Sequence, residues 1–167
     1  MNALFLVLAF GAQDLPARES DAKRNSKNGT LSTDFDGVKT TVTYGRPHVK
    51  GRTVWGDLVK YDEVWRAGSD EATVVAFEKD VKVEGQKLAA GVYSFFAIPG
   101  KEEWTVIFNK EAKQWGAYKY DSKKDAVRVK VKAKPAESTD ELTFEKSGDA
   151  LQLRWDKVAV PVRISGK

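Results

Sequence analysis

Cysteine is absent from the chain and histidine occurs once. Without thiols there can be no disulfide, zinc-thiolate site, iron–sulfur cluster or thiol nucleophile. A single imidazole, His48, cannot build a multi-histidine metal site or a facial triad, so no metal or resident cofactor is expected. The strings that mark common catalytic frameworks are also missing. There is no H-E-x-x-H and no G-x-S-x-G, and Gly100-Lys101 lacks the glycine spacing and the following Ser or Thr of a phosphate loop. No apolar run is long enough to span a bilayer as a helix, and no amphipathic helix longer than two turns, internal repeat or heptad pattern can be read.

What is present is one domain's worth of chain, 167 residues with a net charge of +4, enough to bury a single core. The apolar run Leu4 to Ala12 ends in small residues and resembles the core of a secretory signal. Residues 1–12 are therefore expected to be a signal segment, with a periplasmic or secreted mature chain that has no transmembrane segment. Residues 13–34 are polar without periodicity and are expected to form a flexible lead-in. Residues 35–167 are expected to form the folded domain.

From Val38 onward the two-residue period of half-buried strands dominates. Val38, Thr40, Val42 and Tyr44 share one face. Runs at Ala72 to Glu78, Val81 to Val83, Val92 to Ile98 and Trp104 to Asn109 follow, the third apolar on both faces and so expected to be central. Val127, Val129 and Val131 alternate with Arg128, Lys130 and Lys132. That basic stripe has no interleaved aromatic platform, so it reads as a solvated face and no nucleic-acid partner is expected. Leu142 and Phe144 pair with Leu151 to Trp155 in a hairpin around Ser147-Gly148-Asp149, and Val158 to Ile164 closes the chain. Pro161 lacks a donor N–H, which places the last strand at an edge or beside a bulge. About nine short strands and no helix predict an all-β, single-domain antiparallel sandwich or partly closed barrel.

One stretch escapes this pattern. Tyr44 to Thr73 gathers Arg46, Lys50, Arg52 and Arg66, the histidine, Trp55 and Trp65, and a set of carboxylates onto a glycine-rich segment. Guanidinium forks bind carboxylate or phosphate with two parallel bonds. The same arginines can instead pair internally with Asp57, Asp70 or Glu71. Those two readings give opposite outcomes for Arg66→Ala: loss of stability for an internal pair, loss of affinity for a ligand contact. Asp70-Glu71 suggests acid–base work, but neighbours on a strand point to opposite faces, so a second carboxylate such as Asp57 would have to come from elsewhere.

The strings YxRPxVKGR, VWRxGxxEAT and GxYSxFxIPxxxxWTVIFN, read between Val38 and Ile164, resemble the signature of an exported bacterial family of Bacteroidetes type that is catalogued only as a domain of unknown function. The resemblance implies an envelope or secreted protein and brings no established activity. No cysteine follows the apolar run here, which excludes a lipoprotein anchor. Its polar signature falls on Tyr44, Arg46, Lys50, Arg52, Trp65, Arg66 and Glu71. With His48 added, these are the candidate ligand-binding residues; catalytic residues are not identified. The leading expectation is a monomeric, non-enzymatic binding module for an anionic small molecule or an envelope glycan. A hydrolase of an envelope polymer and a structural protein without a ligand are the alternatives.

Overall fold

The computed structural model describes residues 15–167; the expected signal segment, residues 1–12, lies outside them. Ten strands follow in order: β1 (Lys27–Phe35), β2 (Val38–Arg46), β3 (Thr73–Phe77), β4 (Val81–Val83), β5 (Gln86–Leu88), β6 (Gly91–Ile98), β7 (Glu103–Asn109), β8 (Asp125–Lys132), β9 (Lys134–Ser147) and β10 (Ala150–Gly166). They form a six-stranded sheet, β1-β2-β3-β6-β7-β8, and a four-stranded sheet, β5-β4-β10-β9. All pairings within these sheets are antiparallel. Both sheets are open, so of the two architectures expected this is the sandwich. Among the described residues no helix is long and apolar enough to cross a membrane.

The alternation legible in the sequence is the burial pattern of the strands. In β2, Val38, Thr40, Val42 and Tyr44 are buried. In β8 the three valines are buried while Arg128, Lys130 and Lys132 are exposed. β6 lies between β3 and β7, with Tyr93, Phe95 and Ala97 in the main core and Phe96 in a smaller cluster on the other face. The main core is an aromatic ladder between the sheets: Phe144 meets Tyr44 at 4.9 Å and Phe95 at 5.4 Å, ring centre to ring centre. Such edge-to-face pairs add about 0.5–1.5 kcal/mol beyond the area they bury.

Three features differ from the expectation. β1 occupies much of the segment expected to be a flexible lead-in. It is nearly all polar, with only Phe35 buried, because it is the outer edge of its sheet and has little apolar alternation to show. Its turn, Asp36-Gly37, has positive φ at both residues, 49° and 76°, the geometry a two-residue hairpin favours. β5 adds a second unexpected strand, three residues long. Conversely, the two strands expected at the C-terminus are one, β10, bent at Asp156, where φ is 53° and the register against β9 shifts. β10 pairs with β9 as far as Ala159 and with β4 from Ile164. Pro161 falls between these ladders, where its missing N–H removes no sheet bond.

Candidate functional site

The irregular segment runs from Pro47 to Ala72, between β2 and β3, and lies across one end of the sandwich. Its two halves are fixed differently. The first half is tied to β9: Val49 N–H donates to Asp140 O (2.9 Å) and Leu142 N–H to Pro47 O (3.0 Å). A tight turn follows, with Lys50 and Gly51 at φ 50° and 67° and Arg52 N–H donating to Val49 O. Further along, Trp65 exchanges both backbone bonds with Ala97 of β6, at 2.7 and 2.9 Å. Residues 67–69 then press against β2. A Cβ on Gly45 would sit 2.4 Å from Ser69 Oγ and 2.5 Å from Ser69 O, so only glycine permits this approach. Ala67 is fully buried with φ at 53°, a strained conformation for alanine. It is held by the Thr73 hydroxyl, which donates to its carbonyl at 2.9 Å.

Beneath this segment four tryptophans form one cluster. Trp55 meets Trp104 edge-on at 5.0 Å, and Trp65 stacks on Trp155 at 6.1 Å with 13° between planes. Trp104 and Trp155 are core residues, at 2% and 1% exposure, while Trp55 and Trp65 extend the core toward the segment.

Above the tryptophans is an open cleft of about 380 Å³, lined by His48, Lys50, Arg52, Trp65, Arg66, Ser69 and Trp155 among others. Its size is within the range of small-ligand sites. No Asp or Glu lines it. Among the described residues, none of Lys50, Arg52 and Arg66 has a carboxylate within ion-pair distance. Arg52 is steadied through two backbone carbonyls, Nε donating to Val49 O (3.0 Å) and Nη2 to His48 O (2.5 Å). The Nε of Arg66 and the Oγ of Ser69 are buried without a hydrogen-bond partner. Groups of that kind are costly to leave unpaired.

His48 stands at the edge of this charge. Its Nδ1 is 2.7 Å from Asp140 Oδ2 and its Nε2 is 3.2 Å from Glu141 Oε2. An imidazole donates to both only when doubly protonated. The bond to His48 is the first cause holding the Asp140 carboxyl below its usual value. Arg46 pairs with Glu141 as well. This four-membered chain anchors the segment to β9.

Glu71 sits elsewhere. Residues 15–26, which the sequence left as lead-in, fold against the second half of the segment as a strap. Glu71 Oε1 accepts from the backbone N–H of Glu19 at 2.6 Å. Its Oε2 is 3.0 Å from Arg24 and 3.4 Å from Arg18, without hydrogen-bond alignment. Arg24 also donates to Asp70 Oδ2 at 2.9 Å. The arginine side chains are 8% and 3% exposed for Arg18 and Arg24. Burial pushes the Arg18 guanidinium down to about 10, so it remains charged at neutral pH. Burial raises the Glu71 carboxyl, but the Glu19 N–H and the two guanidiniums outweigh it and leave it below its usual value. Asn28 joins the network, accepting from Arg18 Nε and Arg24 Nη1 at 3.0 and 2.6 Å.

The structure therefore brings together five of the eight candidate residues, His48, Lys50, Arg52, Trp65 and Arg66, in the cleft. Tyr44 points into the core, 4% exposed. Arg46 is occupied by Glu141, and Glu71 by the strap. The internal pairs expected between the segment's arginines and Asp57, Asp70 or Glu71 are not formed. Asp57 is exposed and lies 3.9 Å from Lys60. Neither Asp57 nor Glu71 lines the cleft beside His48, so the acid–base set that these three residues would form is not assembled there. Sequence reasoning missed Arg18 and Arg24, whose local context carries no signal of a contact with residue 71. Trp155, which ends a strand of the expected hairpin, is a core residue that also borders the cleft. Among the described residues no group of His, Asp and Glu is arranged to hold a metal ion.

These features define an all-β sandwich of two antiparallel sheets with a polar cleft at one end. The chain belongs to the family described as "Protein of unknown function (DUF2911)", which it matches over residues 26–164. The match takes in β1 and the whole segment. Neither a curated protein nor a solved structure matches the chain.

Proposed function

We propose that this protein is a binding module for an anionic ligand, an acidic glycan of the cell envelope, held in the cleft by Lys50, Arg52 and Arg66 over the Trp65–Trp155 pair. The observation that carries this reading is the lining itself: three cations with no carboxylate among them. In a folded protein such charges are ordinarily balanced by neighbours or solvated, and their convergence on one concavity creates a positive field that favours an anion. The reading assigns no bond-breaking step, and the expected export of the chain would bring the cleft to envelope polymers.

The experiment is a thermal-unfolding screen of the purified chain with uronic acids, phosphorylated sugars and neutral sugars at matched ionic strength. A ligand at about a hundred times its Kd adds about 2.7 kcal/mol, which for a chain of this size raises Tm by roughly 5–10 °C. The expected result is a rise with the acidic compounds that weakens as salt is added. Equal rises with neutral sugars, or none with any compound, would overturn the proposal.

A further inference from the structure

The cation cleft does not end at Arg66. A second cleft of about 420 Å³ shares Leu58, Val59, Trp65 and Arg66 with it and continues to Ala117 and Tyr118. The lining on this side is different in kind. Lys60 and Glu63 contribute opposite charges, which leaves Arg66, shared with the first cleft, as the one cation here without an acidic counterpart in the lining. Tyr118 is 83% exposed and Leu58 44%, two of the large apolar side chains left in solvent among the described residues. The turn that carries Tyr118 is set against Arg66 by a glycine. A Cβ on Gly116, where φ is 59°, would lie 2.9 Å from Tyr118 Cε2 and 3.1 Å from Arg66 Nη1. The ring and the guanidinium thus flank the same small gap in the second cleft, and Arg66 continues into the first.

We infer that the site takes an extended ligand of at least two units, an acidic sugar in the cation cleft joined to a neutral sugar whose ring lies on Tyr118, with Arg66 between them. This inference rests on the anion-binding reading above and narrows it. An exposed aromatic face carries partial negative charge and attracts the polarised C–H edge of a flat apolar surface; the C–H face of a pyranose is such a surface. A single-stranded nucleic acid also combines anionic units with rings, but it calls for successive exposed aromatic platforms, and of the three rings that line the two clefts, Trp65, Trp155 and Tyr118, only Tyr118 stands largely in solvent.

The test is calorimetric titration with glucuronate, with a short hyaluronan oligosaccharide in which glucuronate alternates with a neutral amino sugar, and with oligothymidylate. The oligosaccharide is expected to bind about tenfold tighter than glucuronate, the scale of one aromatic contact. Tyr118→Ala is expected to remove most of that advantage and leave glucuronate affinity unchanged, while Tyr118→Phe retains it. Because Tyr118 is exposed, its substitution leaves the fold intact, which the unfolding temperature checks. Equal affinities for the two sugars, or an oligosaccharide affinity that Tyr118→Ala does not change, would overturn the two-unit site while the anion cleft stands. Tighter binding of oligothymidylate would overturn the sugar assignment, and binding of none of the three would overturn both this inference and the reading beneath it.

Discussion

The two halves of the connection from Pro47 to Ala72 treat charge in opposite ways. At its C-terminal end Asp70 and Glu71 meet Arg18 and Arg24 in a closed network whose arginine side chains are nearly out of solvent. At its N-terminal end Lys50 and Arg52, with Arg66 opposite, face an open cleft and meet no carboxylate. One half resolves its charge internally and so contributes to holding the chain together. The other pairs His48 with Asp140 and Glu141 but leaves Lys50, Arg52 and Arg66 without a carboxylate, and under the proposed function it is the half open to a ligand. Charges that are paired at one end of a single loop and unpaired at the other thus separate a structural network from a candidate site more sharply than the count of charged residues does.

The substitution that should break both halves together is Gly45→Ala. The new methyl group would meet the backbone oxygen of Ser69, which cannot retreat without lifting residues 67–69 from β2. The expected cost is about 3 kcal/mol, a Tm lower by roughly 6–12 °C, measured by calorimetry. Glu71→Gln acts first on the closed half and reaches the cleft only through the strap, whose Asn25 and Ser26 line it. It leaves Arg18 and Arg24 buried with only Asp70 and neutral acceptors, and is expected to cost about 2–3 kcal/mol in urea unfolding, with the strap at residues 15–26 becoming sensitive to protease.

The same network sets a pH dependence. Glu71 is held below the ordinary glutamate value of 4.5, so its contribution is fully present above that value and fades as pH falls through the depressed folded value. Unfolding curves of the wild type and Glu71→Gln should therefore stand apart at neutral pH and converge in acid. A gap that stays constant down to acid pH would remove Glu71 as its cause. The smallest effect on stability is expected in the open half. Lys50→Ala, at an exposed side chain without an ion pair, should change stability by no more than about 0.5 kcal/mol while weakening binding of an acidic sugar in the titration.

Much of this fold is written locally. The alternation in β2, β6 and β8 reports which face is buried because a strand with one dry face has no other way to be encoded. The same alternation places Tyr44 beside Val42 and so in the core rather than in the cleft. The polar edge strand β1 is silent by that measure, although Asp36-Gly37 carries its turn. The cations of the cleft are legible because they crowd into one stretch of sequence. Their pairing is not, since it depends on contacts such as Arg24 with Glu71 and Arg46 with Glu141 that only the folded sheets bring about. Trp155 illustrates the same limit: its alternation marks it as core, and nothing local says that its edge also borders a cleft formed by residues about a hundred positions earlier in the chain.

A ligand role for the open half is checked by the unfolding temperatures of wild type and Arg66→Ala with and without glucuronate. The two proteins are expected to unfold within a few degrees of each other when ligand-free, the scale of about 1 kcal/mol, and glucuronate is expected to raise the wild type's temperature but not the variant's. An Arg66→Ala protein that unfolds far below the wild type, together with a wild type that glucuronate leaves unchanged, would contradict it and make Arg66 a structural residue.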